Sequence, residues 1–238
     1  MIRNKKQRSI RVVLSAGFVV PILMLVALGV ISYTTASQTI MTKYEDSSKN
    51  TILAMSMYAD TLANGLSSRT LEQVNNSDMQ SYYSTYSDNK DPEWISLYTN
   101  SKGKLIQMYN TTDYMSNYYT IPKKGSEINS LTQDLGKDAY NRFLDSDIGI
   151  QFKENVSKKN GWFGHHTVID EIRGSDGEDY AFTYVQKFIK SDTFLVVDWS
   201  MKSVEDILSK IDFGENSISA LISSDGREIA RIRRMGEN

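Results

Sequence analysis

His165 and His166 are the only histidines in a 238-residue chain that has no cysteine, and Asp170 follows the second of them by four positions. Zinc sites need three or four matched ligands. Neighbouring side chains on an extended segment point to opposite faces, so the histidine pair alone makes no such site. His166 could instead act with Asp170 on the same face. Without cysteine there is no disulfide, thiolate metal site or sulfur nucleophile. The chain also contains no Walker loop, GxGxxG, HExxH or GxSxG pattern. These absences predict a protein that is not an enzyme and carries no cofactor.

Binding chemistry has more to work with. Tyr109 and the polar stretch "NTTDYMSNYYTIPKKG" after it bring Tyr109, Tyr114, Tyr118 and Tyr119 close in sequence, and Trp162, Asp170 and Tyr184 follow. Aromatic walls with a few placed polar groups, on one side of a sheet covered by a loop, describe a small-molecule pocket. Asp170 would pair with a ligand ammonium, and aromatic rings would support it by cation–π contact. The candidate site residues are therefore Asp170, Trp162, Tyr184, Tyr109 and Tyr118.

The elements that must hold these residues begin in a membrane. Residues 12–33, "VVLSAGFVVPILMLVALGVISY", carry no charge, and about 22 helical residues at about 1.5 Å each span a hydrocarbon core about 30 Å thick. Pro21, Gly17 and Gly29 suit a membrane helix better than a soluble one. A cleaved signal peptide is the alternative, with Thr34 and Ala36 as the small-residue site, but the apolar run exceeds a signal core. Arg3, Lys5, Lys6, Arg8 and Arg11 precede every acidic residue, which places residues 1–11 in the cytoplasm and everything after about residue 33 outside.

Beyond the membrane, Ile52, Met55, Ala59, Leu62 and Leu66 follow helical spacing, so a stalk helix is expected over 34–78, ending near Gly65 and the "NNSD" run. This stripe either packs on its own domain or forms a homodimer seam. In "EWISLYTNSKGKLIQMY" the segments 94–99 and 104–109 flank a turn at 100–103 and read as a hairpin. Residues 218–232, "ISALISSDGREIARI", align with it and read as a second copy, with a turn at 224–227, implying tandem domains. Helices are expected over 131–158, broken near Gly149, and over 203–211. Strands are expected at 167–173, 180–188 and 194–200, with "FLVVDWS" central. The sum is an α+β fold: a five-stranded antiparallel sheet with helices between its second and third strands, over 79–212. Residues 213–238 then start a second such domain, which stops after two strands and reads as truncated.

The body after the basic leader is acidic, and its Lys123-Lys124 and Lys158-Lys159 pairs sit in loops, so nucleic acid is not expected as a partner. The order of "SIRVVLSAGFVVPILMLVALGVISYTTAS", "KYEDSSKNTI", "FLVVDWSMKSVEDILSKIDFG" and "SISALISSDGREI" resembles the N-terminal half of a bacterial methyl-accepting chemotaxis protein with a double Cache sensor domain. The resemblance implies PAS-like subdomains beside a long helix and ligand binding in the membrane-distal one. The partners it implies are a small molecule or a solute-binding protein, the cell membrane, and a second copy bound through the stalk and membrane helices. Asp170, in "TVIDEIRG", falls where amino-acid-binding members hold the ligand amine. No Arg-x-Trp-Tyr element precedes Trp162, which argues against an amino acid ligand. The second membrane helix, HAMP module and cytoplasmic hairpin of that family do not occur in these 238 residues. The same region could instead be the input of a histidine kinase or diguanylate cyclase, or a membrane-tethered binding protein.

Overall fold

The computed structural model describes residues 10–85, 91–131, 133–211, 213–222 and 228–235. Two compact units, Met1–Leu53 and Ala54–Asn238, divide the chain. In the first, helix α1 (Ile10–Val74) begins, with Pro21 inside it. Phe18, Leu23, Leu25 and Val30 are all more than half exposed. From Gly17 onward this helix is long and apolar enough to cross a membrane.

In the second unit the end of α1 becomes a core element. Leu66, Thr70 and Val74, one face of its last turns, are completely buried. Met55, Ala59 and Leu62 pack against the same core. The apolar stripe of the stalk is thus covered by its own unit from Met55 onward. Gly65 lies inside α1 and does not end it. A Cβ there would stand 2.7 Å from the Tyr114 hydroxyl, so the position serves close packing. The helix ends at Val74, and Asn76 caps α2 (Ser77–Ser84) by accepting from the Asp78 and Met79 amides.

Helix α3 (Pro92–Asn110) occupies the segment expected to be the first hairpin. The Asp91 carboxylate accepts from the Trp94 amide at 2.8 Å, and Pro92 pre-sets the first turn. Trp94, Ser101, Leu105 and Met108 are buried on one face at helical spacing, while Gly103 faces open space. Its role as a turn glycine, and the repeat aligned on it, are overturned. The Asp-Pro-Glu start was the available signal.

Strand β1 (Met115–Pro122) arises from the tyrosine-rich segment read as a loop. Helices α4 (Ala139–Asp145) and α5 (Asp147–Glu154) follow. Their break falls at Ser146, whose hydroxyl caps α5 through the Gly149 amide at 3.2 Å. Gly149 lies within α5, where a Cβ would clash with the backbone of Phe143 and Leu144. Strand β2 (Asn160–Phe163) precedes α6 (Thr167–Arg173), which replaces the strand expected there. Gly174, at φ 65°, ends α6 in the left-handed conformation that glycine adopts freely.

Strands β3 (Tyr180–Lys187) and β4 (Thr193–Ser200) then pair antiparallel, and α7 (Met201–Ser209) follows. The sheet has four strands rather than five, in the order β1-β4-β3-β2, with β4 inside as expected. On the open edge of β1, a single bridge joins Tyr119 to Asn129. It is held by Thr120 N–H to Ile128 O at 2.9 Å and Ser130 N–H to Tyr118 O at 3.0 Å. Strands β5 (Ile218–Ile222) and β6 (Glu228–Arg233) form a separate pair whose turn lies outside the described residues.

Successive residues of β4 divide two cores, as strand alternation requires. Leu195, Val197 and Trp199 join α1, α2, α3 and α7 on one face. Phe194 and Val196 join α4, α5 and α6 on the other.

Candidate functional site

Asp198 lies in the most apolar strand of the chain, follows the alternation of Phe194 and Val196, and has no solvent exposure. Both neighbouring strands bulge beside it, β1 between Met115 and Asn117 and β3 between Tyr180 and Phe182. Such irregularities re-aim side chains next to functional positions. A buried carboxylate requires a partner, since desolvating an unpaired charge is costly. His166 supplies it. Its Nε2 lies 2.8 Å from Asp198 Oδ1, and the imidazole is 2% exposed.

The other ring nitrogen faces a second acid. His166 Nδ1 is 3.1 Å from Asp170 Oδ1 in an ion pair and 3.2 Å from the Tyr180 hydroxyl. That hydroxyl donates to Asp170 Oδ2 at 2.6 Å and accepts from the His166 amide at 3.1 Å. His165 Nδ1 approaches the same oxygen at 3.1 Å. Burial works against charge on His166, but Asp198 first and Asp170 after it outweigh this and push its pKa up to about 10. The ring is therefore an imidazolium held between two carboxylates. Burial and the nearby acids raise the Tyr119 and Tyr180 phenols far above the usual range, so both remain protonated.

A loop closes over this cluster. Gly177, at φ 76°, passes so near that a Cβ would stand 2.9 Å from His165 Nδ1 and 3.1 Å from Asp170 Oδ2. Beyond it, Asp179 binds Arg173 at 2.8 Å and accepts from the Asn117 amide at 2.8 Å. Burial opposes charge on Asp179, yet Arg173 and Asn117 hold its carboxyl below the ordinary value. Among the described residues no group of three histidine or acidic side chains is arranged to hold a metal ion.

The candidate residues do not converge. Asp170 belongs to the buried cluster at the start of α6, on the face shared with Tyr119. Trp162 and Tyr184 pack together at 5.0 Å, and Trp162 reaches Trp199 at 5.9 Å, on the opposite face of the sheet. Tyr109 meets Tyr118 edge-on at 5.9 Å, and Tyr118 is in the core beneath α1 and α3. Tyr114 contacts Trp199 on that same side. Expecting one pocket for all five is corrected by the sheet, which stands between Asp170 and the other four. The partnership of His166 with Asp170 is present, but it comes from one helical turn and not from a strand face. Asp198 was missed, although a lone carboxylate inside "FLVVDWS" signals a buried partner.

Open space lies elsewhere. A cleft of about 550 Å³ runs between the start of α3, the end of β1 and the segment 123–140, with Trp94, Tyr98 and Tyr140 on its walls and Lys124 and Lys137 on its rim. A smaller one of about 260 Å³ lies between Arg69, Asn76, Lys104 and Thr111.

Compared with known proteins, the chain matches no family model and no curated protein.

Proposed function

We propose that the chain is the membrane-anchored, extracytoplasmic sensing region of a bacterial receptor, with the α/β unit as a PAS-like Cache module that binds a small molecule. The observation that carries this reading is helix α1. The same helix has an uncovered apolar stretch suited to a bilayer and, at Leu66, Thr70 and Val74, contributes core residues to an α/β unit. Cations precede the apolar stretch and acids dominate after it, which favours an outward orientation for the α/β unit. Further support comes from the edge of β1. Counting the Asn129 bridge, five antiparallel positions lie side by side, with α4 and α5 between the second and third in chain order. The edge bridge brings the four-stranded sheet nearer to the five-stranded order expected from the sequence. The 550 Å³ cleft falls within the range of small-molecule sites. A second copy would associate through the membrane helix and the exposed stalk around Ile52 and Leu53.

The absence of native cysteine makes the test direct. In intact cells, the full chain with Lys153→Cys should react with a membrane-impermeant maleimide, and Lys5→Cys should react only after lysis. Labelling in the reverse order, or recovery of the chain from cytosol without detergent, would refute the reading.

A further inference from the structure

The cleft beside the β1–α4 connection is built for a particular charge. Lys123 is already tied to Asp192 at 3.1 Å. Glu127 is also engaged: it accepts from the Leu135 amide and, at 3.2 Å, from the Asn129 side chain. Burial raises its pKa, against which the Leu135 and Asn129 hydrogen bonds favour the charged form. Lys124 and Lys137 are exposed on the rim, and neither has an ion-pair partner among the described residues. Glu127 and Asp134 are the carboxylates on the lining, against the three cations Lys123, Lys124 and Lys137.

The walls between these charges are aromatic. Trp94 and Tyr98 stack at 5.8 Å with their planes 4° apart, which fixes a flat surface at the start of α3. Tyr82 braces both from behind, at 5.3 Å and 5.6 Å. Half-buried Tyr140, also on the lining, rests on Phe194 at 6.3 Å and has its phenol raised to about 12, by burial first and Asp192 second. Gly125 and Gly136, at φ 98° and 91°, let the connecting segment turn sharply at two points along the cleft. Packed rings on the lining and cations at the mouth suit a flat apolar body carrying an acidic group.

We infer that this cleft binds a small aromatic anion, its ring between Tyr98 and Tyr140 and its acidic group at Lys124 and Lys137. The inference rests on the sensory reading above and names the ligand class and place within it. The cluster around His166 is not that place, because its two carboxylates already hold an internal cation. An ammonium ligand there would have to displace a side chain buried to 2% exposure.

The test uses the full chain in lipid nanodiscs, titrated calorimetrically with 1-naphthoate and with empty discs as the blank. Saturable binding is expected, about tenfold or more tighter than for neutral 1-naphthamide and for cyclohexanecarboxylate, and weakening as salt rises. Replacing both rim cations, Lys124→Gln with Lys137→Gln, should weaken naphthoate about tenfold while leaving the amide unchanged. Tyr140→Leu should reduce the preference for the aromatic acid over the cyclohexane acid. Both variants should keep the parent melting temperature, since the lysines are exposed and Tyr140 is only half-buried. No saturable naphthoate binding, equal binding of the amide, or indifference to the lysine pair would overturn the cleft assignment. The cysteine-labelling result is independent of these outcomes, so the ligand inference and the sensory reading can fail separately.

Discussion

His166 Nε2 stands 2.8 Å from Asp198 Oδ1, joining the loop before α6 to the middle of the sheet by an ion pair with almost no contact with solvent. Asp170 one helical turn on, Tyr180 on β3 and the Tyr119 ring on β1 complete its surroundings, with Arg173 3.9 Å from Asp170. Buried pairs of this kind are weak evidence for net stability, but breaking one leaves an uncompensated charge.

The first expectation concerns pH. The folded pKa of His166 is raised, to about 10, so the folded state holds a proton that the unfolded chain releases near about 6.5. Its stabilisation is complete below about pH 6.5 and is lost as pH rises toward about 10. Tyr119 and Tyr180 stay protonated across that window. The melting temperature should therefore fall between pH 6 and pH 10 by several degrees, at about 2–4 °C per kcal/mol for a protein of this size. His166→Gln should be less stable at pH 6 and show a flatter profile. A wild-type profile that rises over this window would contradict the assignment.

Asp170→Ala provides a second test, because the carboxylate is placed to hold His166 and Tyr180 and not an open pocket. Removing one partner of a buried ion pair typically costs about 3–5 kcal/mol, and the remaining Asp198 contact should keep the loss near the lower end. Chemical denaturation of the full chain in detergent, wild type against Asp170→Ala, would measure it. Unchanged stability would mean that Asp170 faces solvent and is free for a ligand.

Helix α3 can be distinguished from the hairpin expected of the same residues. Gly103→Ala, at an open position inside the helix, should stabilise by about 0.5–1 kcal/mol. Asp91→Ala, which removes the cap on the Trp94 amide, should destabilise by about 1 kcal/mol. If Gly103→Ala were instead strongly destabilising in equilibrium unfolding, the segment would contain a turn.

Gly149→Ala should behave oppositely to Gly103→Ala. A Cβ at Gly149 would clash with the Phe143 carbonyl oxygen, so α4 and α5 must separate or the core behind them must shift. Overpacking of this sort costs about 1–3 kcal/mol or more. The two alanine variants, made in parallel, should shift the unfolding midpoint in opposite directions.

Several elements could be read from local pattern alone. Residues 12–33 are apolar without interruption, "FLVVDWS" is too apolar for an exposed strand, and Val204, Ile207 and Leu208 recur at helical spacing. Each of these signals depends on neighbours within a turn or two. The same is true of the strands 218–222 and 228–233.

Other assignments depended on partners distant in the chain. The segment "TVIDEIR" is rich in β-branched residues, yet it forms a helix because Ile169 and Asp170 find their burial against the sheet and Gly174 ends the turn. The tyrosines of 114–119 read as a polar loop until β4 pairs beside them and buries Tyr118 on one face and Tyr119 on the other. Which face of a sheet a side chain occupies changes with a one-residue slip, and the bulges beside Asp198 introduce such slips. The chain order therefore supplied the candidate residues but could not show that α6 packs Asp170 on one face of the sheet, apart from Trp162, Tyr184, Tyr109 and Tyr118. That separation arises from contacts between residues tens of positions apart, where composition and spacing carry no information.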